Sequence, residues 1–332
     1  MDLLNRGLIP ELPTVTDDLR QLEQIINHRE DSYPDLRQEA RAHIVWHPHH
    51  QYRAAPFALV YLHGFTASLG EGEPVHRTLA HRFGMNLYLA RLAGHGRGPD
   101  GFHRIKAQHF VESAAYALAV GRAIGKRVIL MGTSTGAALA LHLAAHLPFI
   151  SGLILYSPLI RFYRSMVSVL GRPSVQFLTK LILGKDYITN KNNLEPPMNR
   201  VWDPKYRLEG LTALVSLIRR TMRPNTFQRI HQPAFLGYYY KNEEEQDTTV
   251  SVKAMLEMFD QLATDPTLKR KCSFSKAEAH VIGSSLTSKS IRHVLDETDQ
   301  FIHDMLDISP YCTLNEAVTF IKNQPLYDQK AN

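Results

Sequence analysis

The chain has too little cysteine to be held together by it. Only Cys272 and Cys312 carry thiols among 332 residues, which excludes a disulfide framework and fits free thiols in a reducing compartment. Apolar residues nowhere run on for the roughly 18 to 20 positions that a membrane-spanning helix needs. The opening residues, Met1 to Arg6, lack the basic-then-apolar layout of a secretory leader, and Pro10 and Pro13 follow soon after. A cytoplasmic location is therefore expected. Internal repeats and low-complexity tracts are missing, which excludes a solenoid or a largely disordered chain. No motif for reading DNA or RNA is present, so nucleic acid is not an expected partner.

What is present is an ordinary globular composition, 44% hydrophobic and 21% charged, long enough to bury a substantial core. The net charge of +6 is unevenly spread. Ile160 to His231 holds 13 Lys and Arg against 4 Asp and Glu, a net +9 that leaves the rest of the chain at −3. Such a basic segment is either a solvated surface or a lid that draws in anionic substrates or touches a lipid surface. Membrane contact is not predicted from it.

The apolar pattern is that of a layered α/β fold. Leu19, Leu22, Ile25 and Ile26 recur at helical spacing and predict an N-terminal amphipathic helix. After Pro34 come short runs: Ala42 to Trp46, Phe57 to Leu62, Met85 to Leu89, Arg127 to Met131 and Gly152 to Tyr156. The last four are continuously apolar, as in strands buried on both faces of a parallel sheet. Helical stretches at Ala114 to Ile124 and Ala137 to Leu147 separate several of them. Strand and helix in succession predict a doubly wound, mostly parallel sheet, with ligand sites at the carboxyl ends of its strands. Between Leu159 and Gln232 the rhythm breaks into helical segments, such as Ser174 to Leu183 and Arg207 to Met222, with no strand evident between them. Strands resume at Ala234 to Tyr240 and Cys272 to Lys276. The expected organisation is an N-terminal helical extension over residues 1–40 and a core over 41–158 and 232–308. A basic helical cap over 159–231 interrupts that core. Residues 309–332 form a C-terminal tail, whose helix is announced by a capping box between Thr313 and Glu316.

Gly132-Thr133-Ser134-Thr135-Gly136 has the spacing Gly-x-Ser-x-Gly, with an apolar run before it and an Ala/Leu-rich helix after it. Strand, tight turn and helix form a nucleophile elbow. Side chains larger than hydrogen at Gly132 and Gly136 would collide with neighbouring backbone, and the turn aims the Ser134 hydroxyl out of the sheet near the positive end of the helix. A serine hydroxyl also needs a general base and donors where the carbonyl oxygen becomes negative. His63-Gly64-Phe65 closes the run ending at Leu62, so the amides of Phe65 and Thr135 are the candidate oxyanion hole. His63 itself is expected to support that loop. The candidate base is His280, on a loop after the Cys272 strand, whereas His293 and His303 fall on the following helix. The acid that would orient the base comes from the loop after Tyr240. Asp247 is the first choice and Glu243 the second, with Glu244 and Glu245 left to solvent.

His63-Gly64-Phe65-Thr66, Arg91-Leu92-Ala93-Gly94-His95-Gly96, the Gly132 to Gly136 elbow and the late His280 together resemble the α/β-hydrolase superfamily. Within it they are most similar to carboxylesterases and monoacylglycerol lipases, over roughly Phe57 to Ile302. The resemblance implies the triad order Ser134, Asp247, His280 and a cap between the strand after the elbow and the strand before the acid. It also implies hydrolysis of a small-molecule ester through an acyl-enzyme on Ser134. A thioesterase, peptidase or carbon–carbon hydrolase with the same triad, or a binding protein without turnover, are the alternatives. No cofactor is expected. Gly94-His95-Gly96-Arg97-Gly98 lacks the spacing of a dinucleotide loop, and His47-Pro48-His49-His50 reads as a polar loop rather than a metal site. Met166, Val167, Val169, Leu170, Phe177 and Leu178 either line an acyl pocket or pack on the core.

Overall fold

The computed structural model describes residues 8–164, 186–190, 192 and 194–324. The helix expected at Ser174 to Leu183, and the six apolar residues considered for an acyl pocket, lie outside the described residues.

Seven strands form one sheet: β1 (His43–Val45), β2 (Ala55–Leu62), β3 (Asn86–Leu89), β4 (Gly125–Thr133), β5 (Gly152–Tyr156), β8 (Ala234–Tyr238) and β9 (Lys269–Ser273). They lie in the order β1-β3-β2-β4-β5-β8-β9, parallel except for β1, which pairs antiparallel with β3 at the edge. From β2 the chain crosses to β3 on one side and then to β4 on the other. The carboxyl ends of β2 and β4 thus border the place where the winding reverses, which is where open α/β sheets leave a crevice.

Alternation along each strand supplies both faces. Ala58, Val60, Leu62, Val128 and Leu130 pack with α3 (Ala107–Ile124) and α4 (Thr135–Ala144). Leu59, Tyr61, Ile129 and Met131 pack on the other side with α2 (Val75–Arg82) and α9 (Ile291–Leu306). Each fully buried Leu, Ile or Phe contributes about 1.5–3 kcal/mol, and two dense layers hold the central strands rigid beneath the crevice. The N-terminal helix α1 (Leu19–Asp31) is tied down by a buried ion pair, Arg91 Nε to Glu30 Oε2 at 2.6 Å, and by Ala42 N–H donating to the same oxygen. At the other terminus α10 (Leu314–Lys322) carries the expected capping box, with Thr313 and Glu316 bonded reciprocally.

The insertion between β5 and β8 differs from expectation in one respect. Besides α5 (Met198–Val201), α6 (Leu208–Thr221) and α7 (Pro224–Phe227), it contains a two-stranded antiparallel ribbon, β6 (Tyr187–Thr189) with β7 (Lys205–Arg207). Three-residue strands are too short to show a period, and their pairing joins residues well separated in sequence. The insertion is therefore not purely helical. Helix α6 buries Leu211, Leu214 and Leu217 in the core layer shared with α3 and α4. No helix among the described residues is long and apolar enough to cross a membrane.

Candidate active site

The elbow is built as its glycines require. Ser134 has φ 54° and ψ −110°, a left-handed conformation that costs a non-glycine residue about 1–3 kcal/mol. Its backbone is clamped on both sides: Ser134 N–H donates to Tyr156 O at 2.9 Å, and its carbonyl accepts from Leu159 N–H at 3.0 Å. A Cβ on Gly136 would lie 1.9 Å from the carbonyl oxygen of Leu62, and one on Gly132 would lie 2.5 Å from the nitrogen of Ala137. This contact pulls the first turn of α4 against the carboxyl end of β2, where His63-Gly64-Phe65 begins.

His63 is fully buried and holds that loop at two points. Its Nδ1 lies 2.9 Å from Gly64 O, and its Nε2 accepts from Leu92 N–H at 3.1 Å. The second bond fixes the proton on Nδ1. Burial lowers its pKa to about 4, so the ring is neutral at ordinary pH and its one lone pair is occupied. Phe65 stacks on Phe102 with ring centroids 5.1 Å apart, and Tyr206 of β7 meets it edge-on at 5.2 Å. The N–H groups of Phe65 and Thr135 have no protein acceptor among the described residues.

On the far side of the crevice, His280 Nδ1 lies 2.6 Å from Asp247 Oδ2. The Asp247 side chain is wholly buried, and its other oxygen accepts from Thr249 N–H at 2.8 Å and Val250 N–H at 3.1 Å. Ser157 Oγ donates to the His280 carbonyl at 2.7 Å, fixing the loop from behind. Burial alone would lower the His280 pKa, but the Asp247 carboxylate, its hydrogen bond and the charge of Glu71 outweigh it, and the net shift is upward from 6.5. Glu243 is exposed and accepts from the Tyr240 hydroxyl at 3.1 Å, on the solvent side of the loop and apart from His280.

Ser134, Thr135, Phe65 and His280 line one cavity of about 480 Å³. Among the described residues no hydrogen bond joins the Ser134 hydroxyl to His280, and the Nε2 of His280 has no protein partner. Phe162, Ile188, Met198, Tyr206, Leu211 and Leu214 make the cavity mostly apolar, and all six come from the insertion. Its only charged lining groups among the described residues are His280 and Glu71. The described Lys and Arg of the insertion do not line it. Arg207, for example, pairs outward with Asp100 at 2.6 Å.

Glu71 and Trp202 were not visible as site residues in the sequence. Glu71 follows the His63-Gly64 pair by several residues and sits between two glycines, with nothing local to say that it is buried. Trp202 lies 131 positions further on, and its indole Nε1–H donates to Glu71 Oε1 at 3.2 Å.

Two groupings of metal-donor residue types stand apart from this cavity, and among the described residues only the second brings three donor atoms together. The rings of His47, His49 and His50 stay close to one another and to Tyr311, away from the Ser134 cavity. Cys272, His293 and Glu297 bring three donor atoms within 4.8 Å of one another. None of these residues lines the cavity of Ser134.

With this geometry in view, the chain matches the alpha/beta hydrolase family over residues 59–306. No curated protein is significantly similar to it in sequence. Solved structures share its fold at low identity. One comes from work on LipS and LipT, two metagenome-derived lipolytic enzymes: 16% identity and a TM-score of 0.63, covering 81% of this chain and 99% of that one. The monoacylglycerol lipase of Paleococcus ferrophilus is 14% identical with a TM-score of 0.57, over 81% of this chain and 99% of that one. A soluble variant of monoglyceride lipase from Saccharomyces cerevisiae, bound to a substrate analogue, is 18% identical with a TM-score of 0.57, over 80% and 90%.

Proposed function

The chain belongs to the alpha/beta hydrolase family, and from that premise we propose that it is a serine hydrolase cleaving carboxylic esters through an acyl-enzyme on Ser134. The observation that carries this reading is the 2.6 Å bond from Asp247 to His280 at the edge of a cavity that also opens on Ser134. Asp247 accepts a hydrogen bond from Nδ1–H, which holds the proton on that nitrogen, so Nε2 is left with the lone pair and faces the cavity as a base. The upward pKa shift of His280 favours taking a proton at the moment the serine attacks.

Ser134 Oγ adds to the ester carbonyl and its proton passes to His280 Nε2. The carbonyl oxygen becomes negative and is held by the free amides of Phe65 and Thr135, aided by the positive end of α4. Collapse of this intermediate expels the alcohol, which takes the proton from His280. A water molecule, deprotonated by the same imidazole, then adds to the acyl-enzyme, and the acid leaves with Ser134 restored. Gly132, Gly136, Gly64 and His63 serve by shape: they let the backbone approach or hold the loop.

Residues 159–231 act as a cap on the core of 41–158 and 232–308, with 1–40 and 309–332 as flanking extensions. The cap supplies apolar walls to the cavity, so the favoured substrate is a small-molecule ester with an uncharged acyl group. Hydrolysis of p-nitrophenyl esters from acetate to palmitate tests this. Turnover is expected in the wild type and its loss in Ser134→Ala. A folded wild type inactive on every ester, yet active on a thioester or amide panel, would assign the same triad to another bond.

A further inference from the structure

Among the described residues the carboxylate of Glu71 makes no ion pair with a Lys or Arg, yet it is buried next to the reacting groups. It lies on the single turn Leu69–Gly72 after β2, with the residue only 2% exposed. Oε2 accepts from Gly64 N–H at 2.6 Å and from the Tyr61 hydroxyl at 3.3 Å, and Oε1 accepts from Trp202 Nε1–H at 3.2 Å. Tyr61 in turn meets Thr133 Oγ1 at 3.0 Å, one residue before Ser134. A Cβ on Gly64 would come within 2.8 Å of Glu71 Oε1, so glycine at this position is what lets the carboxylate reach the loop. Three donors converge on one group: Gly64 of the loop carrying Phe65, Tyr61 at the end of β2, and Trp202 of the insertion.

The segment of the insertion that supplies Trp202 is docked on the same loop by further bonds. Asp203 N–H donates to Thr66 O at 2.7 Å, and the Asp203 carboxylate accepts from Gly96 N–H at 3.2 Å and from Arg37 at 2.8 Å. Trp202, Val201 and Met198 pack with Ala67 and Val281, the latter adjacent to His280. The insertion therefore touches the reacting centre on both sides, with Glu71 as the polar junction.

We propose that Glu71 is a positioning residue: by accepting from Gly64 and Trp202 together, it sets the Phe65 amide for the oxyanion and couples its placement to the seating of the cap. This rests on the serine hydrolase reading above. The chemistry asks for a carboxylate because every partner can donate and none has to accept. Glutamine has the same shape but one acceptor oxygen, so its NH₂ must face either Gly64 N–H or Trp202 N–H, donor against donor. Burial pushes the Glu71 carboxyl up to about 7 against the opposing effect of these bonds and of His280. Tyr61 and His280 are the titratable groups that face it, and neither supplies a fixed positive charge.

The test uses the full chain as wild type, Glu71→Gln, Trp202→Phe and the double variant, each first shown to be folded by circular dichroism and melting temperature. Two readouts are taken: kcat and KM on p-nitrophenyl butyrate, and the rate at which an alkyl fluorophosphonate labels Ser134 by intact mass. In the labelling step Ser134 Oγ bonds to phosphorus, fluoride leaves and the proton goes to His280. The phosphoryl oxygen takes the oxyanion's place. Removing an oxyanion donor costs about 10²–10³ in rate, so displacing one is expected to cost about 10- to 100-fold. Glu71→Gln should lose that in kcat and in labelling with KM little changed, and Trp202→Phe should lose less. In the double variant the donor clash is gone, the glutamine oxygen serves Gly64, and at least part of the loss returns. A purely structural role would make the two losses accumulate instead. A Glu71→Gln rate within twofold of wild type, or no recovery in the double variant, overturns the proposal while leaving Ser134 as nucleophile. A wild type that is not labelled at Ser134 overturns the hydrolase reading itself, and this proposal with it.

Discussion

Replacing Asp247 by asparagine separates the role of its charge from that of its shape. The buried carboxylate makes three bonds: two from the amides of Thr249 and Val250, at 2.8 and 3.1 Å, and one with His280 at 2.6 Å. Asparagine has a single acceptor oxygen, and the two fixed amides claim it. Its NH₂ then faces Nδ1 of His280, so Nδ1 has to accept and the ring proton moves to Nε2. An imidazole carrying its proton on Nε2 has no lone pair to offer Ser134. The wrong tautomer in such a triad costs about 10⁴ in kcat, equivalent to about 5.5 kcal/mol of transition-state stabilisation. The fold should feel little of this, because both backbone bonds survive. Asp247→Ala differs: it strands the buried Val250 N–H at about 1–3 kcal/mol and the partly buried Thr249 N–H at less, and its melting temperature should fall below that of Asp247→Asn. The assay is kcat on p-nitrophenyl butyrate, paired with thermal unfolding and with Glu243→Gln as the control. Glu243 is exposed and bonded to Tyr240, so the control is expected to match wild type. Retention by Asp247→Asn of more than a tenth of wild-type kcat, or a loss in Glu243→Gln instead, would refute the assignment of the acid.

Three further outcomes follow from the same geometry. Ser134→Gly and Ser134→Ala should both abolish turnover, but the glycine variant should melt higher, since it relieves the strain of φ 54°, about 1–3 kcal/mol, at an entropy cost of about 0.4–1 kcal/mol. Equal melting temperatures would mean that the elbow is not strained. Gly136→Ala should destabilise even though alanine is the better helix former by about 0.8–1 kcal/mol. Its Cβ would meet the Leu62 carbonyl at 1.9 Å, and a melting temperature at or above wild type would contradict that contact. Stability should also fall as pH drops from about 6.5 to 4. His63 and His142 are neutral in the native state, with burial lowering each to about 4, while the unfolded chain takes up their protons near 6.5. Each such histidine removes about 3 kcal/mol across that window. Glu71 and His280 work in the opposite direction, because their raised pKa values let the native state bind a proton first; Glu71 offsets about one histidine, and His43 and His47, also lowered to about 4, keep the net sign. A melting temperature that stays flat between pH 7 and 4.5 would refute the net sign.

The sequence by itself determined the parts whose physics is local. An apolar run ending in Gly-x-Ser-x-Gly before an Ala/Leu helix leaves only a tight strand-to-helix turn, and continuously apolar strands separated by helices leave a sheet covered on both faces. Thr313 and Glu316 announced their helix because a capping box spans three residues. His280, the proposed base, was singled out by its place after the Cys272 strand. Asp247 was only favoured, because both it and Glu243 sit on one loop, and facing inward or outward is decided by what packs behind it. The tertiary structure alone decided that Asp247 bonds His280 while Glu243 turns to Tyr240. It also decided that two three-residue strands pair within the insertion and that Glu71 receives Trp202 from 131 residues away. A lone glutamate between glycines has the same composition whether it is solvated or buried. Its character comes from the donors that folding brings to it, and those donors are set by chain crossings that no local pattern encodes.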